Sequence, residues 1–361
     1  MAIVDPWGSE LVEDYEKLIK GFGLAHFNPD SLPNPNRLMR RQVTFASQDL
    51  NSIADAIKNK KPYYALTGIM PTADKLHLGN KMVIETVKYF QDHGAKTYIL
   101  IADLEALSTR GVSLEESKKR ALNFHIPAYI ALGLDPKRTL FYFQSDNKDV
   151  IKIANDAARR ITLNEFRAVY GTAEPGRILA ATNQVGDMVF PQLEQRMPGV
   201  IPVGFDQSPH LRLARDYIRR AKEKKFILLS SIYNKFTPSL DGGFKMSKSK
   251  PESVIELPED INSVSKKIKK ALTGGRDTLE EQRKLGAVIE KDMVFELLKQ
   301  HLVEDDKELN KIYDDYKSGK MLSSEIKEIA CEKMAKFMND FSKKLEKSKK
   351  QVDKLKFIKW T

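Results

Sequence analysis

A strand that turns into a helix is written in Tyr64-Ala65-Leu66-Thr67-Gly68-Ile69-Met70-Pro71-Thr72-Ala73-Asp74-Lys75-Leu76-His77-Leu78-Gly79-Asn80. Its first residues are an apolar, β-rich run closed by Gly68, and from Leu78 to His93 apolar residues recur at helical spacing until Gly94 stops them. Gly79 falls where the helix begins, so backbone there can approach a ligand closely and free amides can face an anion. His77 and Asn80, three apart in the first turn, project from one side as donors. Taken alone, a His-x-Gly-Asn turn is far more often structural than functional.

Working outward, Tyr63 to Thr67, Thr97 to Ala102, Thr139 to Phe143 and Val200 to Val203 are apolar on nearly every residue, as strands buried on both faces are. They alternate with helical stretches from Pro62 to about Ser230, which predicts a parallel sheet wrapped by helices. Ser113 and Glu116 fit a capping box, and Pro127 is expected to break the helix they start. After about Pro258 the β-rich runs stop, and Asp260 to Thr361 reads as a separate helical domain. Phe341 to Lys359 reads as a basic amphipathic helix, with nucleic-acid contact and a solvated face equally open. Residues 1–60 carry nothing chemically suggestive by themselves.

Composition limits the classes of function. The 361 residues, 41% hydrophobic and 30% charged, suit a soluble protein of about two domains. No apolar run approaches the roughly 18 residues that cross a bilayer, and Met1 to Glu10 lacks a signal-peptide order, so a cytoplasmic protein without a membrane partner is expected. One cysteine, Cys331, cannot make an internal disulfide or a thiolate metal cage. A net charge of +11 points to a polyanionic partner, nucleic acid before membrane.

A second candidate site is Pro238-Ser239-Leu240-Asp241-Gly242-Gly243-Phe244-Lys245-Met246-Ser247-Lys248-Ser249-Lys250-Pro251. Three lysines and two serines after a Gly-Gly pair suit a loop that closes over phosphates. Together, His77 to Asn80 and Lys245 to Ser249 resemble the His-x-Gly-His and Lys-Met-Ser-Lys-Ser signatures of the class I aminoacyl-tRNA synthetases, in order and spacing. Asn80 departs from the second histidine, and bacterial tryptophanyl-tRNA synthetases make a similar replacement. The likeness is nearest to the archaeal and eukaryotic tryptophanyl-tRNA synthetases, through Asp5-Pro6-Trp7, Asp14 to Ile19, Arg40-Arg41, Gly204 to Gln207 and Thr273 to Arg283.

The resemblance implies an α/β fold: a Rossmann-like parallel-sheet catalytic domain (61–256) with its KMSKS loop at 245–249, an N-terminal extension (1–60) and an all-helical anticodon-binding domain (257–361). It implies that His77, Asn80, Lys245 and Lys248 are catalytic, and that Gly68, Gly79, Gly204, Asp206 and Ser247 join them around ATP. ATP is then a substrate accompanied by Mg²⁺, with no protein-caged metal. The substrates are L-tryptophan, ATP and tRNA(Trp), and the working form is a homodimer. Forming an adenylate joins two anionic reactants, so the chemistry asks for positive charge and positioning rather than a strong base.

The amino-acid pocket departs from the family pattern. Relatives of the eukaryotic type hold the indole N–H with a tyrosine before the Thr-Gly of the first loop and a glutamine in the second strand, where this chain has Leu66 and Leu100. A buried N–H without an acceptor costs about 1–3 kcal/mol, so another acceptor is required. Asp187 is the choice, three residues after Gln184 on one helix face; bacterial tryptophanyl enzymes use an aspartate at a similar place, and tyrosyl enzymes use one against the phenol. Glu105 matches the family acid that meets the substrate ammonium, and Gln144 and Gln207 complete the tryptophan-binding candidates; His210 reads as structural. Three alternatives stay open: a tyrosyl-tRNA synthetase, a small-molecule nucleotidyltransferase and a non-enzymatic RNA-binding paralogue.

Overall fold

A computed structural model describes residues 15–246 and 250–358, in two compact units. One comprises 15–74, Val83–Lys235 and 346–358; the other comprises Lys75–Met82 and Phe236–Leu345. These units cut across the linear segments 1–60, 61–256 and 257–361.

The first unit is built on a seven-stranded sheet. Its strands in chain order are β1 (Ala25–His26), β2 (Thr44–Gln48), β3 (Tyr64–Ile69), β5 (Lys96–Ile101), β6 (Thr139–Phe143), β7 (Gly199–Gly204) and β8 (Ser230–Asn234); β4 (Leu76–His77) and β9 (Glu256–Leu257) pair in the other unit. The order is β1-β2-β8-β7-β3-β5-β6. From β8 to β6 the pairing is parallel, with Tyr64↔Lys96 through Ile69↔Ile101 and Val200↔Ser230 fixing the register. Every residue of β3 except Gly68, and every one of β5 except Lys96, is buried, because helices cover both faces. On one face Ile53, Phe90, Val200 and Ile232 pack into a single cluster, each large side chain contributing about 1.5–3 kcal/mol by leaving water.

Residues 1–60 are more than an extension where they are described. β2 pairs antiparallel with β8, and Thr44 Oγ1 donates to Asn234 Oδ1 at 2.7 Å. β8 itself, Ser-Ser-Ile-Tyr-Asn, escaped the apolar-run reading because its polar residues are buried but bonded: Ser230 Oγ donates to the Asp49 carbonyl at 2.6 Å and Asn234 Nδ2 to Thr86 Oγ1 at 2.9 Å.

Two further expectations are corrected. Pro127 does not end its helix: Leu114–Arg120 runs through a π-helical turn, Ala121–His125, into Ile126–Ala131. The wider turn lets Ile126 N donate five residues back to Ala121 and makes room for a residue that has no N–H of its own. At the other end, the long helix Ser323–Lys349 stops ten residues short of Lys359. Val352–Lys354 is a 3₁₀ turn, and Phe357 lies alongside the free edge of β6: Phe141 N donates to the Lys356 carbonyl at 3.2 Å and Ile358 N to the Phe141 carbonyl at 2.8 Å. The Phe357 ring stacks on Phe143 at 5.9 Å. Apolar residues that fit a helical period are thus used to cover a sheet edge. Ser113 Oγ accepts from Glu116 N as expected, while a full reciprocal box forms at Thr162 and Glu165.

The second unit is mostly helical: Ile261–Lys270, Leu279–Leu285, Met293–Leu297, Asp306–Lys317 and most of Ser323–Lys349. The Thr273 to Arg283 stretch wraps the buried Asp292, whose carboxylate accepts from Gly274 N at 2.9 Å, Phe295 N at 2.7 Å and Tyr316 OH at 2.8 Å.

Candidate active site

In the sheet, β3 has β5 on one side and β7 on the other, so the connections diverge there and leave a crevice at the carboxyl ends of the strands. Gly68, Glu105, Gln144 and Gly204 to Gln207 all stand at those ends, each directly at or after its strand.

Four of the five tryptophan-binding candidates form one hydrogen-bonded chain. Gln184 Nε2, on the helix Pro175–Val189, donates to Glu105 Oε2 at 2.6 Å. Glu105 N donates to Gln144 Oε1 at 3.2 Å, and Gln144 Nε2 donates to Asp187 Oδ2 at 2.5 Å. Tyr142 OH completes the set by donating to Asp187 Oδ1 at 3.0 Å. Glu105, Gln144 and Asp187 are at most 5% exposed, so water does not compete for these bonds. Asp187 is pushed up to about 8, first by burial, against the pull of the Gln144 and Tyr142 hydrogen bonds, with the Glu105 and Asp103 carboxylates adding to the rise. Asp103, also buried, is raised by burial and partly held down by Ser145, whose Oγ and N both donate to it. Each Asp187 oxygen has accepted one hydrogen, and a lone pair of the carboxyl remains open to a ligand N–H.

Tyr142 was not among the sequence candidates. Its signal was available: Tyr142 and Gln144 are two residues apart at the end of a strand, the spacing that puts side chains on one face. Leu66 and Leu100 are buried and offer no acceptor, and Leu100 crowds Gly68, where an added Cβ would meet it at 3.0 Å. Gln207 sits in the separate 3₁₀ turn Phe205–Gln207 with Asp206, and the chain of bonds among the described residues does not include it. His210, read as structural, has its Nδ1 2.9 Å from the buried Tyr170 hydroxyl.

In the other unit, the His77 turn is held from within. Gly79 N donates to His77 Nδ1 at 3.0 Å, and His77 N donates to Asn80 Oδ1 at 3.1 Å. With Nδ1 accepting, the neutral imidazole carries its proton on Nε2, which makes Nε2 a donor. A Cβ at Gly79 would lie 2.8 Å from His77 Cε1, so only glycine permits this packing. Asn80 has spent its carbonyl oxygen on the turn, leaving its amide hydrogens to donate. β4 and β9 pair His77 with Glu256, and Glu256 is bonded to Lys75.

Lys245 Nζ lies 4.8 Å over the Phe236 ring, half-buried, and Lys250 pairs with Asp241 at 2.9 Å. That lysine's hydrogen bond, with Ser239's, holds the Asp241 carboxyl down at about 2. Ser247 and Lys248 lie outside the described residues. The set His77, Asn80 and Lys245 offers donors and positive charge but no carboxylate, which suits phosphates.

Residues 58–339 match the family model for class I tRNA synthetases (W and Y). The chain is 41% identical over 360 residues to the tryptophan–tRNA ligase of Methanocaldococcus jannaschii, covering 97% of each. It superposes on the crystal structure of tryptophanyl-tRNA synthetase from Aeropyrum pernix with a TM-score of 0.89 and 38% identity, over 99% of this chain and all of that one. A tryptophanyl-tRNA synthetase from Encephalitozoon cuniculi, solved bound to tryptophan, superposes at 0.84 with 28% identity over 95% of this chain and 98% of that one.

Proposed function

The chain belongs to the class I tRNA synthetases (W and Y), and from that premise we propose how its own residues ligate tryptophan to tRNA. The reaction is activation of tryptophan with ATP, followed by transfer of the aminoacyl group to tRNA. The observation that carries the assignment of residues is the buried chain Gln184–Glu105–Gln144–Asp187–Tyr142 at the carboxyl end of the sheet.

Asp187 accepts the indole N–H through a lone pair not used by Tyr142 or Gln144, and Glu105 meets the substrate ammonium. Gln144 and Gln184 fix those two acids, and Gln207 serves the substrate carboxylate. The family resemblance supports His77 Nε2, the Asn80 amide and the backbone at Gly79 as donors to ATP phosphates. It likewise supports Gly68, Gly204 and Asp206 on the nucleotide, and Lys245, Ser247 and Lys248 on the departing pyrophosphate. Mg²⁺ comes with the ATP phosphates and supplies charge neutralisation there. The tryptophan carboxylate displaces pyrophosphate from the α-phosphorus, and the 2′-hydroxyl of the terminal adenosine then displaces the nucleotide. Cations that gain strength as charge moves onto the leaving group lower the barrier without acting as a base.

The helical segment 257–361 is assigned to the tRNA anticodon, and the working enzyme to a cytoplasmic homodimer. Pyrophosphate exchange into ATP with each amino acid in turn tests the reading: tryptophan supports it and tyrosine does not. Preference for tyrosine would overturn the substrate, and charging of purified tRNA tests the second step.

A further inference from the structure

We propose that a cavity of about 320 Å³ in the sheet unit, between the turn at 21–24 and the helix Ser208–Arg220, is a phosphate site that takes a phosphodiester of the tRNA acceptor end. It rests on the reading of the chain as a tRNA-charging enzyme and adds a contact to that reading.

Arg212, Arg215 and Arg219 line one wall at helical spacing, with Asp216 the one carboxylate in the lining and Asp49, outside it, paired with Arg215. Arg215 is buried and fixed, donating to the Leu229 carbonyl and to Asp49. Arg219 is exposed and pairs with Asp216 at 2.9 Å. A guanidinium held only by a surface carboxylate can turn its planar fork to a phosphate at small cost, because exposed ion pairs are weak.

Ser208 gives an independent sign of a ligand. It is 3% exposed, it lines the cavity, and its Oγ has no hydrogen-bond partner among the described residues. A buried hydroxyl without a partner is costly, and a phosphate oxygen would accept its hydrogen. Ser208 also opens a helix of 13 residues, whose first turn carries partial positive charge. On the opposite wall, Gly21 and Gly23 leave open space where a Cβ would stand. The volume is at the lower end of ligand pockets, room for a phosphate and adjoining sugar rather than a whole nucleotide.

A free phosphate would use the same donors, and the experiment separates the sources. R212Q/R219Q and S208A are compared with wild type in tRNA charging, in tryptophan-dependent pyrophosphate exchange, and in tRNA binding against salt, with inorganic phosphate as competitor. The double variant should raise the tRNA KM about tenfold and flatten the slope of log K against log salt by about 0.7–0.9, one phosphate contact's worth. S208A should raise the tRNA KM several-fold, and exchange should be unchanged in both. Inorganic phosphate should compete with tRNA in wild type and less in S208A. An unchanged tRNA KM and salt slope in R212Q/R219Q would overturn the site, as would loss of exchange in either variant or phosphate competing only with ATP. A wild type that does not charge tRNA would instead overturn the functional reading, and the site with it.

Discussion

At the carboxyl end of the sheet, Glu105, Gln144, Gln184 and Asp187 spend their hydrogen bonds on one another, and Asp187 has no exposed surface at all. In the His77 turn, His77, Gly79 and Asn80 are half-buried, and the bonds within the turn use a ring nitrogen, two amides and the Asn80 carbonyl oxygen, which leaves the Asn80 amide hydrogens for a ligand. The difference fits the two tasks proposed for these residues. Choosing one amino acid requires buried polar groups that are fixed by their neighbours yet keep one position for the right ligand, because that position goes unpaired when the wrong one arrives. Handling phosphates requires positive charge that strengthens its hold as the reaction proceeds, which half-exposed cations and amides can supply.

The strongest way to break this contrast is Lys248→Ala. The loss should be about 2–4 kcal/mol of transition-state stabilisation in adenylate formation, with tryptophan affinity nearly unchanged. Pre-steady-state adenylate formation reads it directly, and a wild-type rate would remove the phosphate role from the loop. Asp187→Ala should act on the other side only, raising the tryptophan KM by the equivalent of about 1–3 kcal/mol while the ATP KM stays put. A rise in both constants would mean that the two sides are not separate.

Asp187 also makes the contrast visible in stability. Its carboxyl is held at about 8 in the folded chain by burial, against about 3.9 when unfolded, so between those values the native state binds the extra proton. Stability should therefore fall as pH rises from about 4 to 8, by up to about 1.4 kcal/mol per pH unit, and level off above. Denaturant unfolding of Asp187→Asn should lose that slope; an identical slope in both proteins would place its origin elsewhere. The smallest effect expected is from Tyr142→Phe. Removing one donor from Asp187 should cost about 0.5–1.5 kcal/mol, seen as a few-fold rise in tryptophan KM with the ATP KM unchanged.

Local pattern was enough where neighbours in sequence settle the structure. Thr139 to Phe143 is the strand read from its residues, and the helix from Leu78 ends within a residue of the expected stop. Where distant partners decide, it was not. Ser230–Asn234 and Thr44–Gln48 become strands because each supplies the other's ladder across 190 residues, which no local period records. The candidate residues Glu105, Gln144, Gln184 and Asp187 were legible individually, while Tyr142 looked like one more aromatic in a buried run until Asp187 was placed beside it. Val352, Leu355 and Phe357 show the reverse error, a helical period continued past the point where the helix stops.

The covering of β6 by Phe357 sets a timetable for synthesis. β6 leaves the ribosome about 216 residues before the segment that closes its edge. At roughly 5–20 residues per second, that is on the order of 10–40 s. Throughout that interval the strand Thr139–Phe143, carrying three aromatic residues, has one unpaired side open to any other nascent chain. Lys356 to Ile358 thus seal this edge only after the interval in which it is most exposed.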